Sequence, residues 1–332
     1  MKKGMIFFAA IILSVIAITS GCSSLKSTSA AVEKKPVIGV VIGSFDDAWR
    51  TTVRNELYKL AEGKAEMNIW NGSNSQKTEN EKVDQLISQK VDVLVVNLVE
   101  KSAASSIIAK AKSAGIPLIF FNVEPDSNDL VSWDKTYYVG AKAEQSGTLQ
   151  GQILADYFKK NPPKDGVIDY VILKGEPGHQ DTILRTQYSV KTLEDAGLKV
   201  TKLAEDTAMW QRDTAQEKMQ EFLDSYGSSI DCVIANNDEM ALGAIDALKS
   251  KGYFSDGKYM PVVGVDSTST ALSAVKDGTL LGTVLNDSKG QADAIFKLAN
   301  VLSDKHTPDK NNFNYPITDN KYVFIEYKEV TK

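Results

Sequence analysis

Apolar positions along the chain follow two alternating rhythms. From Pro36 onward, short runs rich in Val and Ile, such as Val37-Ile-Gly-Val-Val-Ile42, are each followed by a stretch in which apolar residues recur every three or four positions. Trp49, Val53, Leu57 and Leu60 are the first such stripe, the signature of a helix with one buried face. Strands are predicted at 37–42, 67–70, 91–96, 116–122, 137–139, 167–173, 199–203, 232–235, 262–265, 280–285 and 322–327, with helical patterns between nearly all of them. Apolar strands alternating with amphipathic helices build βαβ units around parallel sheets. With 332 residues the chain is too long for one such sheet and divides best into two similar α/β lobes.

The first residues break the rhythm. Lys2 and Lys3 precede an apolar run over 5–18, and Thr19-Ser20-Gly21-Cys22 follows. A basic start, a short apolar core and small residues before a cleavage point make a secretory leader, too short to span a bilayer comfortably. The Cys directly after Gly21 resembles a bacterial lipobox, with Thr19 where Leu is usual; in that motif Cys22 is lipidated and becomes the first mature residue. Residues 23–35 are Ser, Thr, Ala and Lys without periodicity and are expected to tether the lipid to the fold. The protein is therefore expected at the cell envelope, in the periplasm or on the outer face of the plasma membrane. The remaining Cys232 lies in an apolar strand and is expected to be an inert buried thiol.

Composition narrows the class. The formal net charge of -5 gives no basic face for nucleic acid. A sugar-responsive repressor would need a basic helix-turn-helix before Pro36, where the leader stands. Gly-x-Ser-x-Gly, His-Glu-x-x-His and P-loop patterns are absent, the histidines are only 2, and no carboxylate pair stands out for a glycosidase, so an enzyme is not expected.

Ligands of open α/β sheets bind beyond the carboxyl ends of the strands. Here those positions carry Asp46-Asp47, Asn97, Asn122, Gly175 to Asp181, Asn236-Asn237-Asp238, Asp266 and Asn286-Asp287. Such residues also cap helices and make turns. As a set, accompanied by Arg185, Trp49 and Trp210, they suit a hexose: planar groups accept and donate in the plane of the ring, and aromatic rings cover its apolar faces. Asp181 and Arg185 are one helical turn apart, in reach of an ion pair.

Phe45-Asp-Asp47, Asn97-Leu-Val99, Phe120-Phe-Asn-Val-Glu-Pro125, Tyr137-Tyr-Val-Gly140, Leu173-Lys-Gly-Glu-Pro-Gly-His179, Asp206-Thr-Ala-Met-Trp210, Ala235-Asn-Asn-Asp238, Gly264-Val-Asp266 and Gly282-Thr-Val-Leu-Asn-Asp287 resemble, in order, the periplasmic glucose/galactose-binding proteins. The resemblance spans Pro36 to Tyr327. It implies a type I periplasmic-binding-protein fold: two doubly wound parallel-sheet lobes joined by three crossovers, placed near 115–117, 286–287 and 322–324. The divisions are then a leader at 1–21, a tether at 22–35, a first lobe at 36–116 plus 287–322, and a second at 117–286 plus 323–332. The implied sugar ligands are Asp47, Asn97, His179, Asp181, Arg185, Asn237, Asp266 and Asn286. Trp210 is one stacking plate, and Trp49 stands where the family usually has Phe. Gly43-Ser44 replaces a Tyr-Lys of relatives at the lip of the cleft.

The implied function is glucose or galactose binding for an ABC permease by a monomer, with docking on a chemoreceptor or sensor kinase as the alternative. No cofactor is required. The family's calcium loop corresponds to Asn161, Asp165, the Val167 carbonyl, Asp169 and the distant Asp231, a candidate site in which Pro163 replaces one oxygen donor and Asp231 replaces a longer Glu.

Overall fold

The computed structural model describes residues 34–332; the leader, Cys22 and most of the tether lie outside the described residues. The first lobe begins with β1 (Val37–Ile42), α1 (Ala48–Ala61), β2 (Glu66–Asn71), α2 (Gln76–Ser88), β3 (Val93–Asn97), α3 (Ala104–Ala114), β4 (Leu118–Phe121), α4 (Ser127–Val131) and β5 (Thr136–Gly140). The second lobe runs through α5 (Ala143–Lys160), β6 (Val167–Lys174), α6 (Gln180–Asp195), β7 (Lys199–Thr207), α7 (Arg212–Tyr226), β8 (Cys232–Ala235), α8 (Asp238–Ser250), β9 (Val262–Val263), α9 (Ser269–Asp277) and β10 (Gly282–Leu285). Helix α10 (Ser288–Ser303) and β11 (Tyr322–Phe324) return to the first lobe, and β12 (Lys328–Thr331) ends in the second.

The sheets have the orders β11-β5-β4-β3-β1-β2 and β12-β10-β9-β8-β6-β7. Every pairing is parallel except β10 with β12. Each sheet is covered on both faces. In the first lobe, α1 and α10 bury Val53, Leu57 and Ile295 against Ile38 and Val40, while α2 and α3 bury Leu86 and Ile107 against Leu94 and Val96. In the second, α7 and α8 pack Met219 and Ile245 against Val171 and Leu173, while α5 and α6 pack Leu154 and Leu193 against Ile172 and Ile234. A strand buried on both faces carries an unbroken apolar run, which is why β3 and β4 show no alternation.

Two expected boundaries are corrected. The first crossover is not at 115–117. Gly115 is the left-handed cap of α3, and the chain continues into β4, which pairs with β3. The chain leaves the first lobe only after Gly140, so 117–140 belong to that lobe. The terminal run 322–327 is not one strand: β11 lies in the first sheet, and the crossing occupies 325–327 before β12. Residues 286–287 run between β10, in the second sheet, and α10, which packs on the first.

In each sheet the strand order reverses once, between β1 and β3 and between β6 and β8. At such a switch point the loops after neighbouring strands diverge and leave a crevice. The carboxyl ends of both sheets open onto the same cleft, so its walls come from both lobes.

Candidate functional site

The cleft holds a cavity lined by Asp47, Trp49, Arg50 and Asn122 of the first lobe and by His179, Asp181, Arg185, Trp210, Asn237 and Asp266 of the second. Its volume is about 30 Å³. That is room for about two water molecules, less than a sugar ring needs in this arrangement of the lobes. Hydrogen bonds link them across the cleft and at the 286–287 crossover. The Trp49 indole N–H donates to the Asn286 carbonyl at 2.8 Å, Asn74 donates to Glu176 at 3.4 Å, and Gln180 donates to Glu124 at 3.4 Å.

Capping and cavity lining turn out to be the same job for several residues. Asp47 is the N-cap of α1; its Oδ1 accepts the Arg50 N–H at 2.6 Å and its other oxygen remains. His179 caps α6 through Nδ1, which accepts the Asp181 N–H at 3.1 Å. That bond fixes the tautomer with the proton on Nε2, a donor. Asn237 caps α8, accepting the Met240 N–H at 3.0 Å, while its amide donates to the Trp210 carbonyl at 3.3 Å. The helix ends thus anchor one atom of each of these polar side chains.

Arg185 is the most deeply held cation. Its guanidinium donates to Asp181 at 2.7 Å, to the Asn236 carbonyl at 2.8 Å and to the Tyr327 hydroxyl at 3.1 Å. Burial pulls its pKa down, but Asp181, Tyr327 and Asp266 prevail and raise it, so it stays charged. Its Nε has no partner within the protein, nor has the Trp210 Nε1, and a ligand oxygen would satisfy either. Helix α6 can lie close enough to deliver Arg185 because α5 has Gly147 opposite it: a Cβ there would be 2.9 Å from the Arg185 carbonyl oxygen. Gly175 plays the same part for Trp210, whose ring lies where a Cβ would stand. Trp210 itself is in the left-handed region, φ 65°, as is Met209 at 52°, a strained pair that turns the indole to the cavity wall.

Asp266 follows β9 with φ 119°, and Ser267 is also left-handed at 56°. Asp238 holds this loop: it accepts the Thr268 N–H at 2.8 Å and the Thr283 hydroxyl at 2.6 Å, and that hydroxyl accepts the Ser267 N–H at 3.3 Å. Burial raises the Asp238 pKa to about 7. Burial also holds Asp266 well above the usual carboxylate range; Arg185 opposes this, and Asp238 and Asp47 add to it. His179 is shifted down, first by burial and then by Arg50 and Arg185 against the pull of Asp181, so its neutral form dominates at pH 7.

Of the residues singled out in the sequence, Asp47, Trp49, His179, Asp181, Arg185, Trp210, Asn237 and Asp266 line the cavity. Asn97 and Asn286 do not. Asn97 is wholly buried, accepting the Gly43 N–H at 3.2 Å and donating to the Phe121 carbonyl and to Asn122 at 3.3 and 3.1 Å. It ties together the ends of β1, β3 and β4 and steadies Asn122. Asn286 donates to Asp266 at 3.3 Å and accepts from Gln291 at 2.8 Å, steadying Asp266 in turn. Arg50 and Asn122 are the additions. Asn122 stands among the strand-end residues that invite attention; Arg50, inside a helical stripe, carries no signal beyond its place three residues after Asp47.

The candidate calcium residues are engaged with nearby main chain. Among the described residues no group of three or more His, Cys, Asp or Glu is arranged to hold a metal. Asp165 Oδ1 accepts the Val167 N–H at 3.1 Å in a tight turn, Asn161 donates to the Tyr157 carbonyl at 3.0 Å, and Asp231 accepts the Asp169 N–H at 2.8 Å. Pro163 adds no side-chain oxygen to a set that a hard cation would need to be six or more strong.

Residues 38–307 match the family model described as periplasmic binding protein domain. The chain belongs to the periplasmic binding protein family. It is 39% identical over 299 residues to the D-galactose/methyl-galactoside binding periplasmic protein of Haemophilus influenzae, covering 88% of each chain. It is 35% identical over 236 residues to a xylitol-binding protein of Mycolicibacterium smegmatis, covering 70% of this chain and 63% of that one. The crystal structure of an ABC transporter solute binding protein from Bacillus halodurans with bound myo-inositol superposes with a TM-score of 0.75 at 31% identity, covering 90% of this chain and 94% of that one. The two-lobed type I architecture and a binding role rather than an enzymatic one are what this membership carries. This binding protein places its cleft residues at the strand ends, on a scaffold its relatives share.

Proposed function

We propose that this protein is the lipid-anchored receptor of an ABC sugar importer and takes D-glucose, D-galactose or both in the cleft between its lobes. The observation that supports it most is the cavity itself, in which Asp, Asn, His and Arg side chains from both lobes meet beside Trp49 and Trp210. Carboxylates accept hydroxyl protons, Arg185 donates through a fixed fork, and the indoles offer apolar faces to C–H groups. The galactose/methyl-galactoside binding relative points to a hexose. Relatives that take xylitol and myo-inositol use ligands of the same polyhydroxyl chemistry, so the choice among sugars rests on individual cleft residues.

Binding draws the lobes together because ligand contacts from both walls form only in the closed arrangement, and this differential affinity shifts the population. The three crossing segments, 141–142, 286–287 and 325–327, are the hinge positions. The closed form is the one a permease reads. Lipidation of Cys22 keeps the receptor beside it.

A thermal-shift panel of D-galactose, D-glucose, D-ribose, D-xylose, L-arabinose, xylitol and myo-inositol tests the ligand. Galactose or glucose should give the largest rise in Tm at equal concentration. A larger rise with a pentose or with either polyol would refute the hexose assignment. Cys22→Ala should move the protein from the membrane to the soluble fraction; unchanged membrane association would remove the anchor.

A further inference from the structure

We infer that Arg50 is a ligand-contacting residue of the first lobe, donating to one oxygen of the bound sugar beside His179 and so setting part of the specificity. This rests on the sugar-binding reading above and names a contact that reading does not contain.

Arg50 lines the cavity, half-buried, at the first turn of α1. The other arginines have partners: Arg185 holds Asp181, Arg212 holds Asp246, and Arg54 lies over the Phe45 ring. Among the described residues the Arg50 guanidinium is in no ion pair and donates no hydrogen bond. Its position does nothing for the helix, because a cation in the first turn opposes the helix dipole, and the one acidic group at that end, the N-cap Asp47, is engaged with the Arg50 main-chain N–H and not with its guanidinium. A residue that breaks a local rule without a local partner belongs to a functional surface more often than to a scaffold.

Its neighbourhood fixes what it would read. Across the cleft stands His179, close enough for the Arg50 charge to act on it, with Nδ1 engaged and Nε2–H left as a donor. Asp47, three residues earlier, keeps one oxygen after capping. Two donors and one acceptor at one end of the cavity match a hydroxyl that accepts from the protein and donates to Asp47. Arg185 already makes three bonds and keeps only its Nε free for a ligand, whereas the whole Arg50 guanidinium is free to donate.

The test is a chemical double-mutant cycle by calorimetry. Wild type and Arg50→Met are titrated with galactose or glucose, whichever binds more tightly, and with its 2-, 3-, 4- and 6-deoxy derivatives. One deoxy sugar should bind wild type about tenfold to a hundredfold more weakly than the parent, as for a lost charged hydrogen bond, and should bind Arg50→Met about as well as the parent does. The variant should melt at or above wild type, since it loses an unfavourable cation at a helix start. Equal weakening of all five sugars, or of none, would overturn the contact. Failure of wild type to bind either parent sugar would overturn the sugar reading, and the Arg50 contact with it.

Discussion

The cleft and the 161–169 loop are both rich in Asp and Asn, and they differ in where the oxygens point. In the loop, Asp165 and Asn161 close turns within a few residues, to Val167 and Tyr157, and Asp231 from the neighbouring strand start takes the Asp169 N–H. In the cleft, one atom of Asp47, His179 or Asn237 caps a helix, and the rest of the side chain lines a shared cavity. The lesson is that a cluster in sequence becomes a site when a buried wall makes its atoms converge. Burial raises the strength of each bond and the cost of leaving one unmade.

The largest expected effect separates the two regions directly. Asp266→Ala should weaken binding of the best sugar at least about a hundredfold, with far-ultraviolet circular dichroism unchanged, because hydroxyls that Asp266 would accept are left unpaired. Asp165→Ala, in the loop, should leave the affinity as it was. Equal effects would erase the distinction.

Asn97→Ala sharpens it next. Asn97 supports the cleft from behind, so its loss should lower unfolding stability by about 1–3 kcal/mol, measured by urea denaturation, together with affinity. Asp266→Ala should cost affinity without stability, since it removes a carboxyl that burial first, and then Asp238 and Asp47, already disfavour. An Asn97→Ala protein of full stability and no affinity would instead place Asn97 on the ligand.

Acid titration gives a third test. Glu79, fully buried behind the cleft, accepts the Val99 N–H at 2.5 Å, and burial raises its pKa from 4.5 to about 7. A raised folded pKa means that the native state holds a proton the unfolded chain has released. Its contribution is therefore fully present below about pH 4.5 and is lost as pH rises toward 7, on the order of 3 kcal/mol. Glu79→Gln should flatten that slope in ligand-free protein, and an unchanged slope would assign it elsewhere, Asp238 being the other carboxyl raised to about 7. The smallest expectation is none: chelation should leave Tm unmoved, whereas a drop restored by calcium would revive the loop as a metal site.

The alternation of strands and helices was legible in the sequence because both faces of each sheet are covered, which leaves clear apolar runs. Lobe membership was less so. Gly115 and Pro117 announce the end of α3, but local turn chemistry does not say which sheet the next strand joins; β4 joins β3 through main-chain bonds that depend on no particular residue. Strand β12, mostly exposed at a sheet edge, has no apolar run to reveal it. In the cleft, strand-end position and resemblance located most of the wall. They could not distinguish Asn97 and Asn286, which brace the wall, from Asn122 and Arg50, which line it, because that depends on side-chain direction.

The most direct test of the central claim is a calorimetric titration of the purified protein with D-galactose and with D-glucose. One-to-one binding in the micromolar range or tighter to at least one of them is the predicted result. Millimolar or absent binding to both would contradict it.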